Sequence, residues 1–185
     1  MVLSNEYYEI EITRDTQYAL FSSDNKNYDQ VVLMEEYNRN DFICAYSVLI
    51  HSYMPEFNIA LIGRAYGSTE SCAILEDNRL VILVDDYLVF LDLISKKVEM
   101  KIKIIEYGTG IELYSFDNGY IINGELDIIK VDNYGKKLWE FSGMDIWVRT
   151  NGESSIQIIN DHLLLIDFEE HNYSIDKWGK QTSIV

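Results

Sequence analysis

The sequence is poor in cysteine and has no long hydrophobic run, and each of these features excludes a class of protein. Cys44 and Cys72 lack metal-site spacing, so we expect two reduced, buried thiols rather than a zinc site. No stretch approaches the roughly 18 consecutive apolar residues of a membrane-spanning helix. The first residues lack the basic and apolar regions of a signal peptide, so a cytoplasmic protein is expected.

Basic residues are also scarce: 15 Lys and Arg stand against 31 Asp and Glu, a net charge of −16 over 185 residues. Phosphate groups repel such a surface, so we predict that neither nucleic acid nor a membrane surface is a partner. Hydrophobic residues make up 48% of the chain, which is enough for a packed core and excludes disorder. The length suits one domain spanning residues 1–185.

The hydrophobic pattern favours β-structure. Apolar and polar residues alternate at 8–12 and 98–104, which is the period of a half-buried strand. Runs at 80–84 and 163–166 are continuously apolar, as in strands covered on both faces. Turn residues separate these segments at short intervals, so the sequence predicts an antiparallel all-β fold of consecutive meanders.

The first 70 residues are less regular. Residues 41–53 have both helical spacing and strand-forming residues, so helix and strand remain equally open there. Irregular strands are predicted at 7–13, 17–22, 29–36 and 57–65.

An internal repeat organises residues 71–185. Asp92, Asp132 and Asp176 each follow an apolar residue and precede a turn and a lysine, at steps of 40 and 44 residues. A period in the forties is typical of a β-propeller blade. Three blade-like units are therefore predicted, at about 71–105, 111–143 and 155–185.

The middle unit has a recognisable motif. The stretch 131–140, Val-Asp-Asn-Tyr-Gly-Lys-Lys-Leu-Trp-Glu, resembles the tryptophan-docking repeat of the PQQ-like β-propellers. The resemblance implies that Trp139 docks, buried, against a neighbouring blade. The first unit lacks both the Gly and the Trp, and the third has no Trp after Gly179. The family's enzymes need many more blades to hold a quinone, so the resemblance implies a small or partial propeller, or stacked sheets, without a cofactor.

No arrangement of residues indicates catalysis. His51, His162 and His171 lack the spacing of metal ligands and are expected to be structural or exposed. Calcium-loop, phosphate-loop and nucleophile motifs are absent from the sequence. We expect neither a metal site nor an enzyme.

Charge is placed unevenly at the predicted hairpin tips. In each meander, the tips between the second and third strands fall on one edge, and those between the third and fourth strands on the other. The first set carries only acidic charges, which we call the acidic rim: Asp85, Asp86, Glu125, Asp127, Glu169 and Glu170. The other edge carries Lys96, Lys97, Lys136, Lys137, Lys177 and Lys180. Hairpin tips are expected to be solvated.

Two functions are compatible with this pattern. The rim would attract a basic protein, and in charge, size and class the chain is similar to bacterial immunity proteins that neutralise basic toxins, including nucleases. The alternative is a propeller-like scaffold or sensor domain that binds peptides or subunits through aromatic residues such as Tyr134, Trp139, Trp147 and Trp178. A carbohydrate-active enzyme is the least favoured hypothesis.

Overall fold

The computed structural model describes residues 1–53, 55–64 and 68–184, and within these ranges all regular structure is β-strand. Seventeen strands form four sheets, and every strand pairing but one is antiparallel. This confirms the predicted all-β class. None of the described residues form a helix of the length and apolarity that would cross a membrane.

The first sheet is the irregular one and has the strand order β1-β2-β4-β5-β3, with β3 parallel to β5. Its strands are β1 (Val2–Ser4), β2 (Glu9–Asp15), β3 (Gln30–Leu33), β4 (Ile43–His51) and β5 (Phe57–Arg64).

The open question at residues 41–53 is thereby decided for a strand. Strand β4 lies between β2 and β5 and is covered on both faces, which explains its run of apolar residues without clear alternation.

The strand predicted at 17–22 is wrong. The Asn25 side chain accepts a hydrogen bond from the Ala19 amide at 2.9 Å and donates one to the Ala19 carbonyl at 2.7 Å. Main-chain groups that would pair in a sheet are satisfied locally instead. The resulting loop places Tyr18 and Leu20 against the outer face of the first sheet.

The other three sheets are four-stranded meanders in simple order, at 73–103, 110–142 and 156–184. The second sheet contains β6 (Ala73–Leu75), β7 (Arg79–Val84), β8 (Tyr87–Asp92) and β9 (Lys97–Lys103). The third contains β10 (Gly110–Ser115), β11 (Gly119–Gly124), β12 (Asp127–Asp132) and β13 (Lys137–Ser142). The fourth contains β14 (Ile156–Ile159), β15 (His162–Ile166), β16 (Asn172–Asp176) and β17 (Gln181–Ile184).

The repeated aspartate has a local structural cause. In the third sheet, Asp132 Oδ1 accepts hydrogen bonds from the amides of Tyr134 and Lys136, both at 2.9 Å. In the fourth sheet, the carboxylate of Asp176 holds its turn through the corresponding two amides, at 3.0 and 2.9 Å. A β-bulge precedes the aspartate in each meander. In the second sheet, however, Asp92 Oδ1 accepts from the Ser95 amide at 2.6 Å, so the two-amide turn belongs to the third and fourth sheets.

Consecutive sheets pack face to face. One apolar cluster joins the first and second sheets, another the second and third, and a further one the third and fourth. Within the described ranges, no such cluster joins the fourth sheet to the first. The four blades therefore form a row that is not closed into a ring by an apolar core.

Trp139 on β13 lies against the fourth sheet. Its Nε1 donates a hydrogen bond to the Lys177 carbonyl at 2.9 Å. Its indole covers Gly179, where a Cβ atom would come within 2.7 Å of the Trp139 ring. Gly179 also has a φ of +80°, which favours glycine. The side chain is partly buried rather than enclosed, which corrects the expectation of full burial.

The third sheet also buries a lysine. Lys130 is 1% exposed, and its Nζ donates hydrogen bonds to the main-chain carbonyls of Phe116 and Asp117. Burial lowers the pKa of this amine to about 8, while the carboxylates of Asp117 and Asp132 oppose the shift.

Candidate functional site

The tips of the acidic rim lie on one edge of the row, together with the segments that link one sheet to the next. There, a cleft of about 570 Å³ opens where the second and third sheets meet the end of β5. Three of the six rim residues line it. The lining residues are Arg64, Asp85, Asp86, Gly108, Thr109, Ile111, Glu125 and Val148.

Asp85 belongs to the framework of the cleft rather than to its surface. Its side chain is buried and accepts a hydrogen bond from the Tyr46 hydroxyl at 3.0 Å. Its carbonyl accepts the Gly110 amide at 2.9 Å, which ties the second sheet to the start of the third. Burial, reinforced by the Asp85 charge, raises the pKa of Tyr46. The expectation that this tip is solvated is wrong for Asp85.

Asp86 and Glu125 differ in how their charges are balanced. Asp86 forms an ion pair with Lys103 at 3.0 Å and raises the lysine pKa. Glu125 packs over Gly108, and no basic side chain within the described ranges pairs with it. Glu125 is therefore the rim carboxylate whose charge is most available in the cleft.

The remaining rim residues lie outside the cleft. Asp127 accepts a hydrogen bond from the Ser142 hydroxyl at 2.5 Å. Glu169 and Glu170 are exposed at the tip between β15 and β16, where Glu170 has a φ of +66°. The rim is therefore divided into a cleft group and separate surface positions.

A second pocket, of about 200 Å³, adjoins the cleft, with Ile111 and Val148 lining both. We call it the inner pocket. Its walls come from the third sheet, from the link that enters the fourth, and from the segment before β6. The lining residues are Ser68, Glu70, Ile111, Glu112, Asn123, Trp147, Val148, Arg149, Gly152, Glu153, Ser154 and Ser155.

Apart from Trp147, sequence reasoning missed these inner-pocket residues. A polar residue within an otherwise apolar strand, such as Asn123 in Gly-Tyr-Ile-Ile-Asn-Gly, was the available signal.

The cleft and the inner pocket are together strongly acidic. Six carboxylates and two arginines line them, and both arginines are already paired. Arg64 donates to Glu35 at 2.8 Å, and Arg149 donates to Glu153 at 2.6 Å. Carboxylates in a concave, partly apolar surface concentrate negative potential and attract cationic groups. The arrangement is thus suited to binding positive charge.

Two histidines and both cysteines lie outside the cleft. The His171 ring pairs with Asp167 at 3.0 Å and the His51 ring with Glu56 at 2.9 Å, both outside the cleft. Cys44 and Cys72 are buried free thiols, as predicted, and burial raises the pKa of Cys72 to about 11. Within the described ranges, no group of three or more His, Cys, Asp or Glu side chains could hold a metal ion.

The opposite edge has a mixed character. Lys137 pairs with Glu140 at 2.5 Å, and Lys96 donates to the Pro55 carbonyl at 2.9 Å. Tyr134 and Trp178 are exposed there at corresponding turn positions.

Trp147, also considered as a binding aromatic, is 1% exposed and packs between the third and fourth sheets.

Comparison with known proteins supports the fold alone. No protein-family profile and no curated protein sequence matches this chain. Among solved structures, it is similar to BamB from Moraxella catarrhalis, with a TM-score of 0.50 and 14% identity over 78% of this chain and 47% of BamB. It is also similar to Kuenenia stuttgartiensis hydrazine synthase, with a TM-score of 0.50 and 12% identity over 91% of this chain and 53% of that one.

Both neighbours are β-propeller-like, so the chain has a propeller-like fold. It spans about half the length of the structures it matches.

Proposed function

We propose that this chain is a non-catalytic, propeller-like protein-binding module whose ligand is a basic segment of another protein. The observation that carries the proposal is the acidic cleft with its inner pocket: within the described ranges, Glu70, Glu112 and Glu125 line them without an ion pair, and both lining arginines are already paired. Such a surface increases the association rate of a cationic partner and rejects nucleic acid.

A finer form of this proposal is an immunity protein that neutralises a basic toxin such as a nuclease. An enzyme that acts on phosphodiesters carries cationic groups at its active site, and carboxylates of the cleft would cover them. This form predicts that the purified partner loses its activity in the complex. A scaffold or sensor domain predicts binding without inhibition, so an activity assay of the partner separates the two.

The test uses three charge-reversal pairs in affinity capture from the native lysate, with captured proteins identified by mass spectrometry. The cleft variant replaces Glu125 of the cleft and Glu70 of the adjoining inner pocket with lysine. The tip variant replaces Glu169 and Glu170 with lysine. The control variant replaces Lys136 and Lys180 with glutamate on the opposite edge. All six side chains lack a salt bridge within the described ranges, so each pair should fold normally.

The proposal expects a basic protein that the wild type and the control variant retain and that the cleft variant loses. Raising the salt concentration from about 50 to 500 mM should release it, because the Debye length falls well below 10 Å. If the control variant is the one that loses the protein, the cleft is not the binding surface. Loss with the tip variant alone would assign binding to Glu169 and Glu170.

A further inference from the structure

The inner pocket contains a hydrogen-bond network that converges on one carboxylate. Glu112 on β10 accepts hydrogen bonds from Asn123 Nδ2 and from the Ser154 hydroxyl, each at 2.8 Å. The Tyr114 hydroxyl lies 2.8 Å from the Ser154 hydroxyl, and because the serine proton points to Glu112, the tyrosine donates. Burial, together with the Glu112 carboxylate, raises the pKa of Tyr114 against the opposing hydrogen bond with Ser154, so this donor stays protonated. The network fixes Glu112 as an acceptor.

Two more acceptors in the same pocket have no partner in the protein. Asn123 is 1% exposed, and since its Nδ2 donates to Glu112, its Oδ1 is left as an acceptor. Within the described ranges, this oxygen and the hydroxyl of Ser155, which is 3% exposed, have no hydrogen-bond partner. Buried polar atoms without partners are rare in folded proteins and call for an explanation.

The charge of Glu112 is likewise unbalanced by the protein. Within the described ranges no lysine, arginine or histidine forms an ion pair with it. Arg149, the one basic side chain in the lining, is held by Glu153 at 2.6 Å. The residues that line the pocket therefore contribute a carboxylate, an amide oxygen and hydroxyls.

We propose that the inner pocket binds the guanidinium group of an arginine side chain presented by the basic partner. A guanidinium is planar, permanently charged and carries five N–H donors, so it can satisfy Glu112 and Asn123 at once. A volume of about 200 Å³ equals six or seven waters at about 30 Å³ each, which is enough for a guanidinium and its methylenes. Ile111 and Val148, which also line the pocket and are not buried, give the methylenes an apolar wall. This inference rests on the proposed function. It identifies an arginine of the basic partner as the side chain that would enter the inner pocket beside the cleft.

The test does not need the partner. The ¹⁵N-labelled protein is titrated with Nα-acetylarginine amide, whose only charge is the guanidinium, and chemical shifts are followed at the Asn123 side-chain amide and the Trp147 indole. Saturable shifts centred on these groups are expected, with a dissociation constant on the order of 1 mM, as is usual for a small fragment. The neutral isostere Nα-acetylcitrulline amide should bind at least tenfold more weakly.

Matched variants locate the site. Glu112→Gln should weaken binding at least tenfold, whereas Glu125→Gln, the same charge change in the cleft outside the pocket, should change it less than threefold. If Glu112→Gln fails to fold, Ser155→Ala serves instead: it removes a hydroxyl without a protein partner, so it should preserve stability and still weaken binding. No saturable shift would mean that the pocket holds only water, and equal binding of the arginine and citrulline amides would mean that the positive charge is not recognised. Either result would overturn the inference.

The source of the guanidinium is tested with free arginine, which adds an α-amino group and an α-carboxylate. Binding within threefold of the amide supports a protein side chain, while a hundredfold preference for free arginine would assign the pocket to a metabolite. Failure here is distinguishable from failure of the proposed function. If the charge reversals at Glu70 and Glu125 release a captured partner but the arginine amide causes no chemical-shift changes, only the arginine-binding inference is refuted. If the arginine amide binds but no basic partner is captured, only the proposed function is refuted.

Discussion

The contact between Trp139 and the fourth sheet makes the sharpest prediction about stability. An aromatic side chain of this kind buries roughly 150–250 Å² when enclosed, so partial burial of Trp139 removes about 120 Å² from water. At about 25 cal/mol per Å², this contributes about 3 kcal/mol. Loss of the 2.9 Å hydrogen bond to the Lys177 carbonyl adds about 1 kcal/mol. Trp139→Ala should therefore lower the free energy of unfolding by about 3–4 kcal/mol.

The chain supplies a matched control and a coupled partner for this measurement. Trp178 lies in the turn that Trp139 contacts, but it is 69% exposed, so Trp178→Ala should cost about 0.5 kcal/mol or less. Gly179→Ala has two costs: strain at a φ of +80°, about 1–2 kcal/mol, and the collision of the new Cβ with the Trp139 ring. With alanine at position 139 the ring is absent and only the Cβ of that residue remains, at 3.1 Å, so the cost of Gly179→Ala should fall in that background.

Urea denaturation followed by circular dichroism measures the free energy of unfolding of the four proteins in this cycle: the wild type, the two single variants and the double variant. It does not rely on tryptophan emission. A coupling of about 0.5–3 kcal/mol is expected for residues in contact. Equal costs for Trp139→Ala and Trp178→Ala, or an unchanged cost of Gly179→Ala in the two backgrounds, would refute the docking contact.

Three further predictions concern buried ionisable groups. The pKa of Lys130 is lowered from 10.5 to about 8, so between these pH values the unfolded chain binds more protons than the folded one and stability rises with pH. The wild type should therefore gain stability relative to Lys130→Met between pH 7.5 and 10. If the stabilities of the two proteins from urea denaturation change in parallel with pH, the prediction is wrong. Burial alone would raise the pKa of Asp167, but hydrogen bonds from neighbouring hydroxyl, amide and imidazole groups outweigh burial and lower the pKa. Stability should therefore be lost as pH falls below about 4, and the thermal melts of Asp167→Asn should depend less on acid pH. Asp85→Ala removes the carboxylate that accepts the hydrogen bond of the buried Tyr46 hydroxyl, so it should lower the free energy of unfolding by about 1–3 kcal/mol in chemical denaturation. The control Glu169→Ala should be nearly neutral. Equal costs for the two variants would show that Asp85 is not structural.

The sequence by itself determined the strands and turns of residues 71–185, because their causes are local. Alternation over a few residues marks which side of a strand is buried, and an aspartate that binds amides two and four residues later makes the same turn wherever it occurs. The same locality explains the failure at 17–22, where the deciding contact is the side chain of Asn25. At 41–53 the local pattern was ambiguous, and pairing with two neighbouring strands decided it.

Only the tertiary structure decided which charges form a site. Asp85 and Asp86 are adjacent in sequence, yet Asp85 is buried and accepts a hydrogen bond from Tyr46 of the first sheet, whereas Asp86 forms an ion pair with Lys103. Glu112 carried no sequence signal, because its importance depends on Asn123 and on Ser154, which lies 42 residues away. A cleft between sheets is made by links and strand ends that the folded core brings together. Local periodicity contains no information about such long-range contacts, so it predicted the blades without the cleft between them.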